Sequence, residues 1–170
     1  PTRGPSTRPH PNKRRRALFF ELAGRELIGG FRWFGLSSYD TYDGRAVIRR
    51  ETDRPDLLST VTETDLKVVE FKLRGATIAR DFDREEKHIE DIDLVICYEV
   101  GMSPLDIYQI LDWESSTTYR NGTEPFPHVN SVLLDTITGR EVQMLALRNL
   151  LDPEIIEEPP ELSDDAADKD

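Results

Sequence analysis

Cysteine is almost missing from this chain: Cys97 is the one thiol in 170 residues. That excludes an internal disulfide framework and a cysteine-rich zinc site. Its setting, Leu94-Val95-Ile96-Cys97-Tyr98, reads as that of a small buried hydrophobe. Histidine is scarce as well. His10, His88 and His128 are far apart, none with ligand spacing to another. No serine occupies a Gly-x-Ser-x-Gly turn, which argues against a Ser-His-Asp hydrolase. Neither kind of glycine-rich phosphate loop occurs, so nucleotide binding by those routes is excluded and no organic cofactor is expected. No apolar run approaches the roughly 18 residues of a membrane helix, and no signal-peptide pattern is present. The expectation is a cytoplasmic protein without a membrane partner. Asn121-Gly122-Thr123 matches a glycosylation sequon but reads as a turn.

What is abundant is charge, with a net of -11 unevenly spread. The first sixteen residues carry Arg3, Arg8, Lys13, Arg14, Arg15 and Arg16 and no acid. From Asp152 to Asp170, nine acids face one base, Lys169. Such tails hold few groups to bury, so residues 1–14 and 152–170 are expected to be a disordered basic lead-in and a disordered acidic tail. Residues 15–151 are then one domain, long enough for a proper core. Pro1 in place of Met suggests a piece of a longer or processed polypeptide.

Apolar spacing gives a coarse order of elements. Arg15 to Ile28, with Leu18, Phe19, Leu22 and Leu27, suits an amphipathic helix stopped by Gly29-Gly30. Phe31 to Leu36 and Arg45 to Arg50 read as strands, and Glu51 to Asp65 as a loop. Leu66 to Leu73 is a Val- and Phe-rich strand. Thr77 to Ile89 reads as a charged helix. The apolar run Ile92 to Tyr98 suits a central strand covered on both faces. Pro104 to Leu111 is expected to be a short helix, Glu114 to Asn130 irregular. Val132–Leu134 and Val142–Leu147, with a turn at Thr138-Gly139, read as a hairpin or a strand with its return, and Arg148–Leu151 is expected to start a last helical turn. Together these predict an α/β (α+β) domain with a central mixed sheet of about four to six strands flanked by helices.

The chemistry centres on Glu70-Phe71-Lys72. Residues two apart on a strand share a face, so the carboxylate of Glu70 and the ammonium of Lys72 project together. Asp40 and Asp43 lie in Tyr39-Asp40-Thr41-Tyr42-Asp43-Gly44, ahead of the preceding strand; Asp43 is favoured because Gly44 turns directly into it. Ordinary turn chemistry explains the same residues, and a solvated ion pair explains Glu70 and Lys72. Arg45, Arg49, Arg50, Arg54, Lys67, Lys72 and Arg74 lie on the flanking strands or the loop between them, where a local basic patch can form in an otherwise acidic body.

The order helix, three strands, helix, strand, with an acid before the second strand and acid-x-Lys on the third, resembles the PD-(D/E)xK, or restriction-endonuclease-like, nuclease superfamily. The resemblance covers about Arg16 to Glu99. It implies a restriction-endonuclease-like core and Mg²⁺- (or Mn²⁺-) dependent phosphodiester hydrolysis of nucleic acid, with DNA favoured over RNA as the substrate and the nucleic-acid type left open. Asp43, with Asp40 as competitor, and Glu70 would hold the metal; Asp43, Glu70 and Lys72 would be the catalytic set. Glu21 or Glu26 would add an outer carboxylate, and Arg45, Arg49, Arg50 and Arg74 would grip the nucleic acid. The stretches Tyr39–Gly44, Val69–Lys72 and Asp91–Leu94 also look like C-terminal domains of bacterial ATPases of the gyrase, histidine-kinase and MutL type. That implies an upstream ATPase domain in the same chain. The alternative is a non-catalytic interaction module, or a regulatory or dimerisation domain of such an ATPase.

Overall fold

A computed structural model describes residues 11–37, 41–50, 65–103 and 105–151, the side chains of 11–15 excepted. Asp40, Tyr39, Arg54, His10, nearly all of the 51–65 loop and the acidic tail lie outside the described residues.

The first helix, α1, spans Pro11–Gly24. It begins inside the stretch expected to be a disordered lead-in. Proline suits a first helical turn because its fixed φ is helical and its missing N–H is not needed there. Phe19 and Leu22 are buried, with Leu18 and Ala23 packed beside them, giving one apolar stripe. The helix stops earlier than expected, and not at Gly29-Gly30. Leu27 N–H donates to Leu22 C=O and Glu26 N–H to Ala23 C=O, while Glu26 takes a left-handed φ of 60°. This is a Schellman stop with a non-glycine residue at the turning position.

Seven strands form one mixed sheet: β1 Phe31–Leu36, β2 Gly44–Ile48, β3 Lys67–Arg74, β4 Leu94–Glu99, β5 Tyr108–Asp112, β6 Ser131–Asp135 and β7 Glu141–Ala146. Their spatial order is β1-β2-β3-β4-β7-β6-β5. The first three make an antiparallel meander, β4 runs parallel to β3, β7 parallel to β4, and β6 and β5 close the far side antiparallel. The α/β expectation holds, with a larger sheet than the four to six strands foreseen. The extra strand is β5, where a short helix was expected. It pairs with β6 from Tyr108↔Asp135 to Asp112↔Ser131, so the open edge of β6 overrides a weak local helical preference. The β6–β7 hairpin turns at Gly139, whose φ is +74°.

Two apolar layers sandwich the sheet. On one side Phe19, Leu22 and Ile28 pack on Ala46, Val69, Phe71, Leu94, Ile96 and Leu145. On the other, the helix α2 (Ile78–Asp83) places Ile78, Ala79 and Phe82 against Val95, Cys97, Val142 and Met144. β4 is buried from Leu94 to Cys97, as a central strand covered on both faces requires. Helix α2 is only six residues long, not thirteen. Glu86 N–H donates to Asp81 C=O and Glu85 N–H to Phe82 C=O, with Glu85 at φ 56°. A second Schellman stop thus turns the chain back, so that Ile89 and Ile92 reach the core and Lys87 faces the sheet.

Candidate acidic site where two strands part

The ladder between β2 and β3 ends at Gly44↔Val69. Beyond it, β3 runs on to Arg74 with β4 on its other side, and Asp43 stands where the next partner of Glu70 would be. The gap is closed by side chains. Asp43 Oδ2 accepts from the Phe71 N–H at 2.9 Å, and Asp43 N–H donates to Glu70 Oε1 at 3.0 Å. Arg16, from α1, donates to Asp43 Oδ1 and to the Ser37 carbonyl. Lys87, beyond α2, donates to Glu70 Oε2 at 2.5 Å. Lys72 shares the Glu70 face of β3 but reaches Asp81 of α2 instead, at 2.5 Å.

Asp43 and Glu70 are therefore neighbours joined by a hydrogen bond, while Lys72 is held by a third acid. Glu70 is fully buried (0% exposed), yet it lies on the polar side of a strand whose other face carries Val69 and Phe71. Burial pushes its carboxyl up to about 7; the Lys87 hydrogen bond and charge pull the other way, and the neighbouring Asp43 charge adds to the rise. Tyr42, next to Asp43, donates to Asp91 Oδ2 at 2.6 Å, and its ring centre lies 5.7 Å from Lys87 Nζ. Burial, together with that bond to Asp91, raises the Tyr42 phenol to about 12.

An open cleft of about 550 Å³ lies beside this network, lined by Leu36, Ser37, Thr41, Tyr42, Gly44 and Arg45 among others. Neither carboxylate is among its lining residues. Asp43's side chain is 11% exposed and Lys87's 14%, so the cleft stops short of the acids.

The four arginines expected to grip nucleic acid are spread out. Arg45 is exposed on the cleft wall. Arg49 and Arg50 follow the far end of β2, where Arg50 bonds the Glu124 carbonyl (2.9 Å) and lies over the Phe126 ring (4.3 Å). Arg74 ends β3 and pairs with Glu99 at 2.9 Å. At about 3.3 Å per residue, Arg74 lies more than roughly 20 Å along β3 from the Arg49–Arg50 end. Glu21 pairs with Arg25 at 2.6 Å, and Glu26 forms the helix stop; α1 contributes Arg16 to the acids instead.

Arg16, Asp81 and Lys87 were not foreseen as members of this site. For Arg16 a signal existed, since it sits three residues before buried Phe19 on the same stripe of α1. Lys87 had none, because the reach from an unforeseen turn to β3 is a tertiary event.

No protein-family model matches the chain, and comparisons with curated proteins and with solved structures likewise find no match.

Proposed function

We propose that the chain hydrolyses phosphodiester bonds of nucleic acid, DNA in preference to RNA, with Mg²⁺ or Mn²⁺ at the Asp43–Glu70 pair. The observation that supports this most is the placement of fully buried Glu70 against Asp43 where β2 leaves β3. Two carboxylates side by side in a covered site cost stability, and a strand needs no such pair to fold. Groups held at that cost are candidates for chemistry.

The donor set fits a hard cation. Each of the four carboxylate oxygens accepts one hydrogen bond, two of them from the cations Arg16 and Lys87, so a metal ion would take a place that a protein cation now fills. Among the described residues no group of three or more His, Cys, Asp or Glu is placed to hold a metal. Mg²⁺ commonly binds through one or two carboxylates, with waters and substrate phosphate completing its shell. When bound, such an ion polarises the phosphodiester and lowers the pKa of a coordinated water. Asp43 and Glu70 would hold it. Lys72 supplies positive charge to the phosphate oxygens as negative charge develops, and Arg45 draws the strand into the cleft. Among the described residues no helix is long and apolar enough to cross a membrane. We place the protein in the cytoplasm, with its reduced thiol Cys97 buried, and as a companion of an upstream ATPase domain.

A second reading rests on the closed pairing of the same charges: Arg16 with Asp43, Lys87 with Glu70 and Lys72 with Asp81. It is a non-catalytic interaction or regulatory module whose polar network only holds the notch shut. Cleavage of labelled single- and double-stranded DNA and RNA with Mg²⁺, Mn²⁺ or EDTA separates the two. The nuclease reading expects metal-dependent cleavage that Lys72→Ala abolishes. Lys72 and Asp81 are each less than a fifth exposed, so the same variant should also lose about 1.5–3 kcal/mol in a melt, and cleavage is compared at a temperature where both proteins are folded. Absence of metal-dependent cleavage on every substrate favours the second reading.

A further inference from the structure

We infer that Lys87 is a built-in counter-cation that occupies the cation seat of Glu70 and must leave before a divalent ion can enter. This rests on the metal reading above and adds the residue that controls access to the site.

Three observations meet at one ammonium. Lys87 Nζ is 2.5 Å from Glu70 Oε2, against a carboxylate with no exposed surface of its own. The ring of Tyr42 faces the same ammonium at 5.7 Å, and that ring is fixed in turn by the Tyr42–Asp91 bond. A carboxylate and an aromatic face together make a seat for a cation. The third observation is where Lys87 is attached. It does not belong to a helix or strand but follows the stop of α2, after exposed Arg84, Glu85 and Glu86. Among the described residues Glu70 Oε2 is the one hydrogen-bond acceptor of the Lys87 ammonium, so breaking that single bond frees the side chain.

The other two cations are differently placed. Arg16 sits within α1 and spans Asp43 and the Ser37 carbonyl, so it ties helix to strand. Lys72 lies on β3 and addresses Asp81. Only Lys87 combines direct contact with Glu70 and a backbone outside regular structure. Its charge keeps Glu70 compensated while no ion is present. For an ion to reach Oε2, Lys87 would have to give up that oxygen and turn its ammonium to solvent.

The test is Mn²⁺ binding to the whole chain, followed by calorimetry or by the loss of the free-ion resonance signal. A hydrogen bond to a charged group contributes about 1.5–3 kcal/mol, so Lys87→Met should bind Mn²⁺ on the order of 10–100 times more tightly than the wild type. Lys72→Met, which leaves the Glu70 contact intact, should not tighten binding. Wild-type binding with no gain in Lys87→Met overturns the role of Lys87 and leaves the metal reading standing. No Mn²⁺ binding to either protein overturns both. Because Lys87→Met leaves a buried carboxylate alone and risks misfolding, the wild type provides a second measurement. Acetylation of Lys87, followed by mass spectrometry, should speed up several-fold when Mn²⁺ is added, while the rate at Lys72 changes less. A Lys87 rate unaltered under conditions where Mn²⁺ is bound overturns the inference independently of any variant.

Discussion

Glu70→Gln should change how the stability of the domain depends on pH. The carboxyl is raised from its ordinary 4.5 to about 7 because burial disfavours its charged form, with Lys87 and the Asp43 N–H offsetting only part of that. Below 4.5 it is protonated in both folded and unfolded chains and contributes no penalty. Between 4.5 and about 7 the unfolded chain ionises while the folded one keeps the proton, so stability falls as pH rises. Above about 7 both are ionised and the loss is complete. A shift of about 2.5 units at about 1.36 kcal/mol per unit gives a total of about 3 kcal/mol. The variant has no such group. Its stability relative to wild type should therefore climb by about 3 kcal/mol between pH 4.5 and 8, whatever the offset from exchanging an acid for an amide. Urea unfolding of both proteins at half-unit steps measures this directly, because titrations common to both cancel in the difference. A flat difference across that range would refute the argument that burial dominates at Glu70.

Other predictions follow from packing and backbone geometry. Phe71→Ala should cost about 3–5 kcal/mol in urea unfolding, since its ring is 1% exposed, meets Phe19 at 5.9 Å and stacks on Trp33 at 5.7 Å. Glu85→Gly should raise the melting temperature by a few degrees, because glycine takes the left-handed φ of 56° without the roughly 1 kcal/mol cost of a Cβ; a lower melting temperature would show that the Glu85 side chain matters more than its backbone. Asp135→Asn should destabilise by about 1–2 kcal/mol at neutral pH. Although burial opposes it, the Thr138 hydroxyl and the N–H groups of Ile137 and Thr138 hold Asp135 below the usual carboxylate range. Its stabilisation is present above the unfolded carboxylate pKa and is lost as pH falls through the folded one, so wild type and variant should converge in acid.

Much of the architecture was legible in local pattern. The apolar run Ile92 to Tyr98 suited a strand covered on both faces, and the strand found there, Leu94–Glu99, is the middle of the sheet. Thr138-Gly139 marked the β6–β7 turn, and alternation in Val69 to Lys72 put Phe71 in the core and Glu70 on the other face. The failures share a cause. The early stops of α1 and α2 use glutamates in left-handed conformation, which no composition rule signals. β5 is a strand because β6 offers it an edge.

The candidate site divides in the same way. That Glu70 and Lys72 share a face follows from a period of two along a strand, and that Asp43 precedes the partner strand follows from chain order. Which cation answers which acid does not. Arg16 lies 27 residues from Asp43, and Lys87 lies 17 from Glu70 across a helix stop. Such pairings are chosen by where whole elements dock, because a long charged side chain reaches whatever counter-charge the packed core leaves within a few ångströms. Residue types and spacing alone determined every strand but β5, the buried faces of the central ones, and the presence of acids before β2 and on β3. Tertiary packing decided that the pair is sealed, and that the lysine facing Glu70 is Lys87 and not Lys72.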